Sequence, residues 1–133
     1  AIQDGLLGAL TDPFERIHMG VTAENVAARY QISREDQDAL ALESQKRAAN
    51  AVKQGYFQSQ IVPIELQSRG KTTIFDTDEY VRLDAKAEDF VKLKPVFQKE
   101  NGTVTAGNAS GINDGAAAVV LASEEAVSAH GLK

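Results

Sequence analysis

Along most of this 133-residue chain the apolar positions come in short bursts, and only one long regular element stands out. Residues 1–20 are the least regular. Gly5, Gly8, Pro13 and Gly20 punctuate a mixed apolar stretch, which predicts a helix tail followed by an irregular segment. Thr22 to Tyr30 then reads as a short helix ending near Gln31, with Thr22 as N-cap and Asn25 as a weaker reciprocal partner than Glu or Gln. Ser33 opens the clear element. A cap hydroxyl followed by Glu35 and Asp36 suits the free amides and dipole of a helix N-terminus. Ala39, Leu42, Ala49, Val52 and Tyr56 recur at helical spacing with Lys46 as the break, Glu43 and Arg47 form an i,i+4 pair, and Gly55 ends the run. The pattern predicts a helix over 33–54 with an alanine-rich face suited to close packing.

Beyond it, "IVPIEL" at 61–66 reads as a short strand, confined toward an edge by Pro63. "SRGKTT" is a turn, "IFDTDEYVR" extended or irregular, and "KAEDFVKL" a short helix that stops before Pro95. Elements this short cannot build a large core, so 61–97 reads as a lid or excursion. After Gly102 the character changes. "AAAVVLAS" at 116–123 is an unbroken apolar run of strand length, expected to be buried on both faces of a parallel or mixed sheet and followed by the helix "SEEAVSAHG". One strand makes no sheet, so its neighbours are expected outside this chain.

Length and a balance of 43% hydrophobic to 25% charged residues describe one ordinary soluble domain, and no apolar run approaches the roughly 18–20 residues that span a bilayer. The chain begins at Ala1 and its one methionine is Met19, so a fragment or trimmed product is expected, and any targeting segment lies elsewhere. With no cysteine there is no disulfide, thiolate metal site or cysteine nucleophile in this chain. His18 and His130 are too far apart in sequence for a compact metal motif, and no metal is expected. A net charge of −5 disfavours non-specific nucleic-acid binding.

Single motifs say little. "GKT" at 70–72 resembles the tail of a phosphate-binding loop, but Glu65 replaces the first glycine and no helix clearly follows, so a hairpin turn is the better reading. Asn101-Gly102-Thr103 and Asn108-Ala109-Ser110 fit a glycosylation pattern; Asn108, just before a buried-looking strand, suits a structural use better. "GNASGINDG" lacks dinucleotide-fingerprint spacing and serves either a ligand or plain backbone needs. His18 reads as an ordinary partly buried histidine, and Arg82, Lys86, Lys92, Lys94 and Lys99 as a solvated face.

Taken in order, however, "HMGVTAENVAARYQISREDQDALALESQKRAANAV", "QIVPIEL", "DEYVRLDAKAEDFVKLKPVF" and "GTVTAGNASGINDGAAAVVLAS" resemble the middle of a thiolase, specifically an acetyl-CoA acetyltransferase, over essentially the whole chain. The resemblance implies an α/β fold in which two similar halves form a five-layer assembly and a loop domain, a lid inserted in the N-terminal half, covers the coenzyme A site. Residues 1–101 would be that loop domain, and 102–133 a core strand and helix returning to the first half. The implied activity is acyl transfer to coenzyme A, forming or cleaving acetoacetyl-CoA or 3-ketoacyl-CoA. Coenzyme A is substrate, with no further cofactor. The implied partners are acyl-CoA, the remainder of the thiolase chain and further copies in a dimer or tetramer, with no nucleic acid or membrane and a cytoplasmic location.

By the same resemblance Met19 borders the acyl pocket and His18 lies near the coenzyme, with Leu10 an apolar contact upstream. Arg82 matches the arginine at the adenine and phosphate end. Leu93, Val96 and Phe97 match an apolar wall, the family often having alanine where Val96 stands. Ala106 and Ser110 match residues that approach pantetheine. Asp89 departs from a serine found in related sequences, and its carboxylate would repel nearby phosphate. The resemblance implies a histidine-activated cysteine that takes the acyl group and a second cysteine that moves protons; neither is in this chain, so catalytic residues are expected outside it. Two alternatives remain at this level: a helical interaction module using the 33–54 face, and a non-catalytic carrier of acyl-CoA or lipid.

Overall fold

The computed structural model describes residue 2 and residues 4–132. Helix α1 (Gly5–Ala9) is capped by Asp4, whose carboxylate accepts the amides of Leu6 and Leu7. The chain then folds back in a turn in which the Asp12 carboxylate accepts the amides of Phe14 and Glu15. This return pairs Thr11 with His18 in an isolated antiparallel bridge.

Helix α2 (Met19–Tyr30) starts three residues before the predicted Thr22. His18 is the cap: its Nδ1 accepts the Gly20 amide at 3.0 Å, while the Met19 amide bonds the Leu10 carbonyl at 2.8 Å. The backbone return before His18 thus fixes the helix start, and Thr22 falls inside the first turns. Helix α3 (Arg34–Lys53) has its predicted cap, Ser33 Oγ accepting the Asp36 amide at 3.0 Å, and the Glu43–Arg47 pair at 2.8 Å. Leu42, Ala49 and Val52 are half-buried, whereas Ala39 and Tyr56 are exposed.

The strand expected at 61–66 instead forms as β1 (Ile64–Ser68), beginning just after Pro63, which cannot donate to a ladder. It pairs antiparallel with β2 (Lys71–Phe75), a second strand that the hairpin reading implies without bounds, through a two-residue loop. Arg69 and Gly70 have φ of 49° and 79°, the left-handed values that a tight hairpin loop demands at both positions. "GKT" is therefore the hairpin turn and the start of β2. Helix α4 (Ala87–Val91) carries the buried Phe90 and packs on α3, and α5 (Glu124–His130) runs from its Ser123 cap to Gly131 in the left-handed region.

The strand expected at 116–123, with its sheet neighbours outside this chain, does not form here. These residues are exposed throughout, with Val120 90% and Leu121 92% accessible. A strand needs a partner for its amides and carbonyls, and none of the described residues supplies one. The buried set is small: Ala27, Phe90 and Val104 with Glu24 and Thr105. Among the described residues no helix is long and apolar enough to cross a membrane.

Candidate functional site

An open cavity of about 1240 Å³ lies between α3, residues 79–85, α4 and the turn at 106–110. Four of the nine residues singled out above line it: Arg82, Leu93, Ala106 and Ser110. The Arg82 amide donates to Gln45 Oε1 at 2.8 Å, which docks the 79–85 segment on α3. Small residues bring the turn close to its neighbours. A Cβ on Gly107 would stand 2.6 Å from Leu93 Cδ1, and one on Gly111 2.6 Å from the Tyr80 ring. The lining is mixed in charge, with Glu79, Asp84 and Asp89 beside Arg82. Asp89 also accepts the Lys86 amide at 3.2 Å, a one-sided tie at the start of α4. Lys86, Lys92, Lys94 and Lys99 are exposed and outside the lining.

Four of the other five gather at the start of α2. The His18 ring stacks on Phe97 with centroids 4.7 Å apart and planes 30° from parallel. Gly20 permits this contact, since any Cβ there would overlap the Phe97 ring. Leu10 reaches the cluster through its carbonyl bond to Met19, whose side chain is 55% exposed. Val96 joins neither region: its amide bonds the Val104 carbonyl at 3.0 Å, and the residue is exposed.

Glu24 and Thr105, which the sequence reading does not single out, hold the 103–110 turn together with Asn108, for which it prefers a structural use. Glu24 is only 3% exposed, and its carboxylate accepts the Thr103 amide, the Thr103 hydroxyl at 2.8 Å and the Val104 amide at 2.9 Å. Burial pushes its pKa up, but the hydrogen bonds from Val104 and Thr103 outweigh this and leave it below the ordinary value. Thr105 is fully buried; its amide donates to Asn108 Oδ1 at 2.8 Å and its Oγ accepts the Gly107 amide. The one sequence signal was a carboxylate three residues before Ala27 on the same helix face. Tyr80 and Gln45 carried none.

Chemically the cavity offers apolar surface at Phe90 and Leu93 beside the polar side chains of Arg82 and Ser110. Among the described residues no group of three or more His, Asp or Glu side chains could hold a metal ion. A cysteine-free chain supplies no thiolate nucleophile of its own.

The family model for the thiolase N-terminal domain matches residues 1–125. The chain belongs to the thiolase family. It is 62% identical to the beta-ketothiolase BktB of Cupriavidus necator over 98% of its length, covering 33% of that protein. The crystal structure of acetyl-CoA acetyltransferase from Bacillus anthracis superposes over the entire chain and 34% of that enzyme, with a TM-score of 0.82 at 49% identity. That of human mitochondrial 3-ketoacyl-CoA thiolase in complex with CoA covers 97% of this chain and 31% of that one, with a TM-score of 0.80 at 46% identity. This thiolase segment spans about a third of the length of the curated relatives it matches. The exposed apolar run at 116–123 is consistent with a segment whose packing partners belong to the remaining two thirds.

Proposed function

We propose that this chain is the coenzyme A-binding portion of a thiolase that forms or cleaves acetoacetyl-CoA or another 3-ketoacyl-CoA by acyl transfer to coenzyme A. In this reading 1–101 is the loop domain over the coenzyme and 102–133 leads back into the first thiolase half. The acyl-accepting cysteine, its histidine and the proton-moving cysteine come from the rest of the protein, which also joins further copies of itself. Coenzyme A is substrate rather than a resident cofactor.

The observation that carries the proposal is the convergence of Arg82, Leu93, Ala106 and Ser110, separated by up to 28 positions in sequence, on one open cavity. Its chemistry suits a thin amphipathic arm. Leu93 and Phe90 offer apolar contact, Ser110 a hydroxyl for an amide, and Arg82 a cation for phosphate. The second cluster, with Met19 and the stacked His18 and Phe97, suits the acyl end. Calorimetric titration of the full-length protein with coenzyme A tests the reading. Saturable binding together with thiol-dependent loss of acetoacetyl-CoA is expected; no saturation, as for an interaction module, or binding without turnover, as for a carrier, would overturn it.

A further inference from the structure

Asp38, in the second turn of α3, is outside the cavity lining, and its side chain is 14% exposed. Its Oδ2 accepts from Arg34 Nε at 2.7 Å and its Oδ1 from Asn108 Nδ2 at 2.9 Å. Arg34 extends the chain of contacts: its Nη2 donates to the carbonyls of Phe90 at 2.8 Å and Leu93 at 3.1 Å, where α4 ends, the Phe90 carbonyl also accepting the Leu93 amide at 3.0 Å. One carboxylate therefore joins α3, the end of α4 and the 105–110 turn, which are three walls of the cavity.

The orientation of the Asn108 amide follows from these partners. Its oxygen accepts the Thr105 amide, and its nitrogen donates to both Asp38 and the Thr103 carbonyl at 2.9 Å. Reversed, the NH2 group would face the Thr105 N–H and the oxygen would face two acceptors. The turn itself, Ala106 to Ser110, has small side chains with little apolar area to hold it, so its place depends on polar ties.

We infer that Asp38 is a positioning residue for the coenzyme site: through Asn108 and Arg34 it sets where Ala106 and Ser110 stand relative to Leu93. The inference rests on the reading of the cavity as the coenzyme A site. Asp38→Asn keeps the shape but presents an NH2 group to one of two donors, so one tie is lost and a donor faces a donor.

The test compares full-length wild type and Asp38→Asn by amide hydrogen exchange over 103–110 and by steady-state kinetics with coenzyme A. Loss of a charge-assisted tie should speed exchange at 105–110 by about tenfold and raise KM for coenzyme A by about tenfold, with kcat within about twofold. Exchange and KM within about twofold of wild type, or faster exchange with unchanged KM, would overturn the positioning role. A wild type that shows no coenzyme A saturation removes the coenzyme reading and this inference with it. If Asp38→Asn does not fold, Arg34→Lys serves in its place, because it keeps the charge but lacks the planar fork whose separate nitrogens reach Asp38 and the two carbonyls; the same outcomes apply.

Discussion

The carboxylate of Glu24 is bonded to Thr103, a residue 79 positions later, through both the amide and the hydroxyl of that threonine. With the Val104 amide this fastens α2 to the extended segment that leads into the site turn. Glu24→Gln keeps the shape but turns an NH2 group toward backbone donors, and should destabilise the full-length protein by about 1–3 kcal/mol in denaturant unfolding. An unaltered midpoint would show that the contact carries no net stability.

The same pair predicts a pH dependence. The folded pKa of Glu24 lies below its ordinary value of 4.5, so an unfolded chain binds the proton more readily. The stabilisation is complete above that ordinary value and is lost as pH falls through the folded one. Unfolding curves at successive pH values should therefore show a shallower acid decline in Glu24→Gln than in wild type; parallel declines would refute the assignment.

Gly20 and Phe97 occupy space that no side chain at position 20 could share. Gly20→Ala should push the ring off His18 and cost about 1–3 kcal/mol. Pairing it with Phe97→Leu, which shortens the offending side chain, should recover part of that loss in a double-mutant cycle. Strict additivity of the two changes would indicate that the ring is not what the added methyl group displaces.

Ser110 is exposed and lines the cavity. If it bonds a pantetheine amide, Ser110→Ala weakens coenzyme A binding to the full-length protein by about 1 kcal/mol, the worth of one neutral hydrogen bond. Calorimetry that returns the wild-type Kd would remove Ser110 from the site.

Asp89 has two opposed effects. If the cavity takes coenzyme A, the Asp89 charge works against the phosphates, while its bond to the Lys86 amide supports the start of α4. Asp89→Ser should tighten coenzyme A by about two- to threefold at low salt, an advantage that fades near 1 M salt as charges are screened. Weaker binding at every salt concentration would mean that the cap matters more than the repulsion.

How much of this was legible beforehand depended on the range of the forces involved. Helix α3 appeared with its Ser33 cap and Glu43–Arg47 pair because both act within one turn of the chain. Thr22 was mistaken for the cap of α2 because the true start depends on Leu10, which bonds Met19 across the intervening turn. The hairpin reading of "GKT" implies a second strand but leaves it without bounds, because "KTTIF" carries little alternation and is exposed at every position, so pairing through the Arg69–Gly70 loop decides it.

The sequence by itself determined the thiolase resemblance, the Ser33 cap, the turn at "GKT" and the absence of a cysteine nucleophile from this chain. Those properties reside in residue identity and near-neighbour spacing. Only the tertiary structure decided that four of the nine singled-out residues share one cavity while His18, Met19 and Phe97 gather elsewhere. It alone showed Glu24 and Asp38 as the ties of the site turn, because a carboxylate finds donors 79 or 70 residues away only once packing has brought them within 3 Å. For the apolar run at 116–123, strand propensity was not sufficient: a strand exists only where another segment takes up its backbone hydrogen bonds.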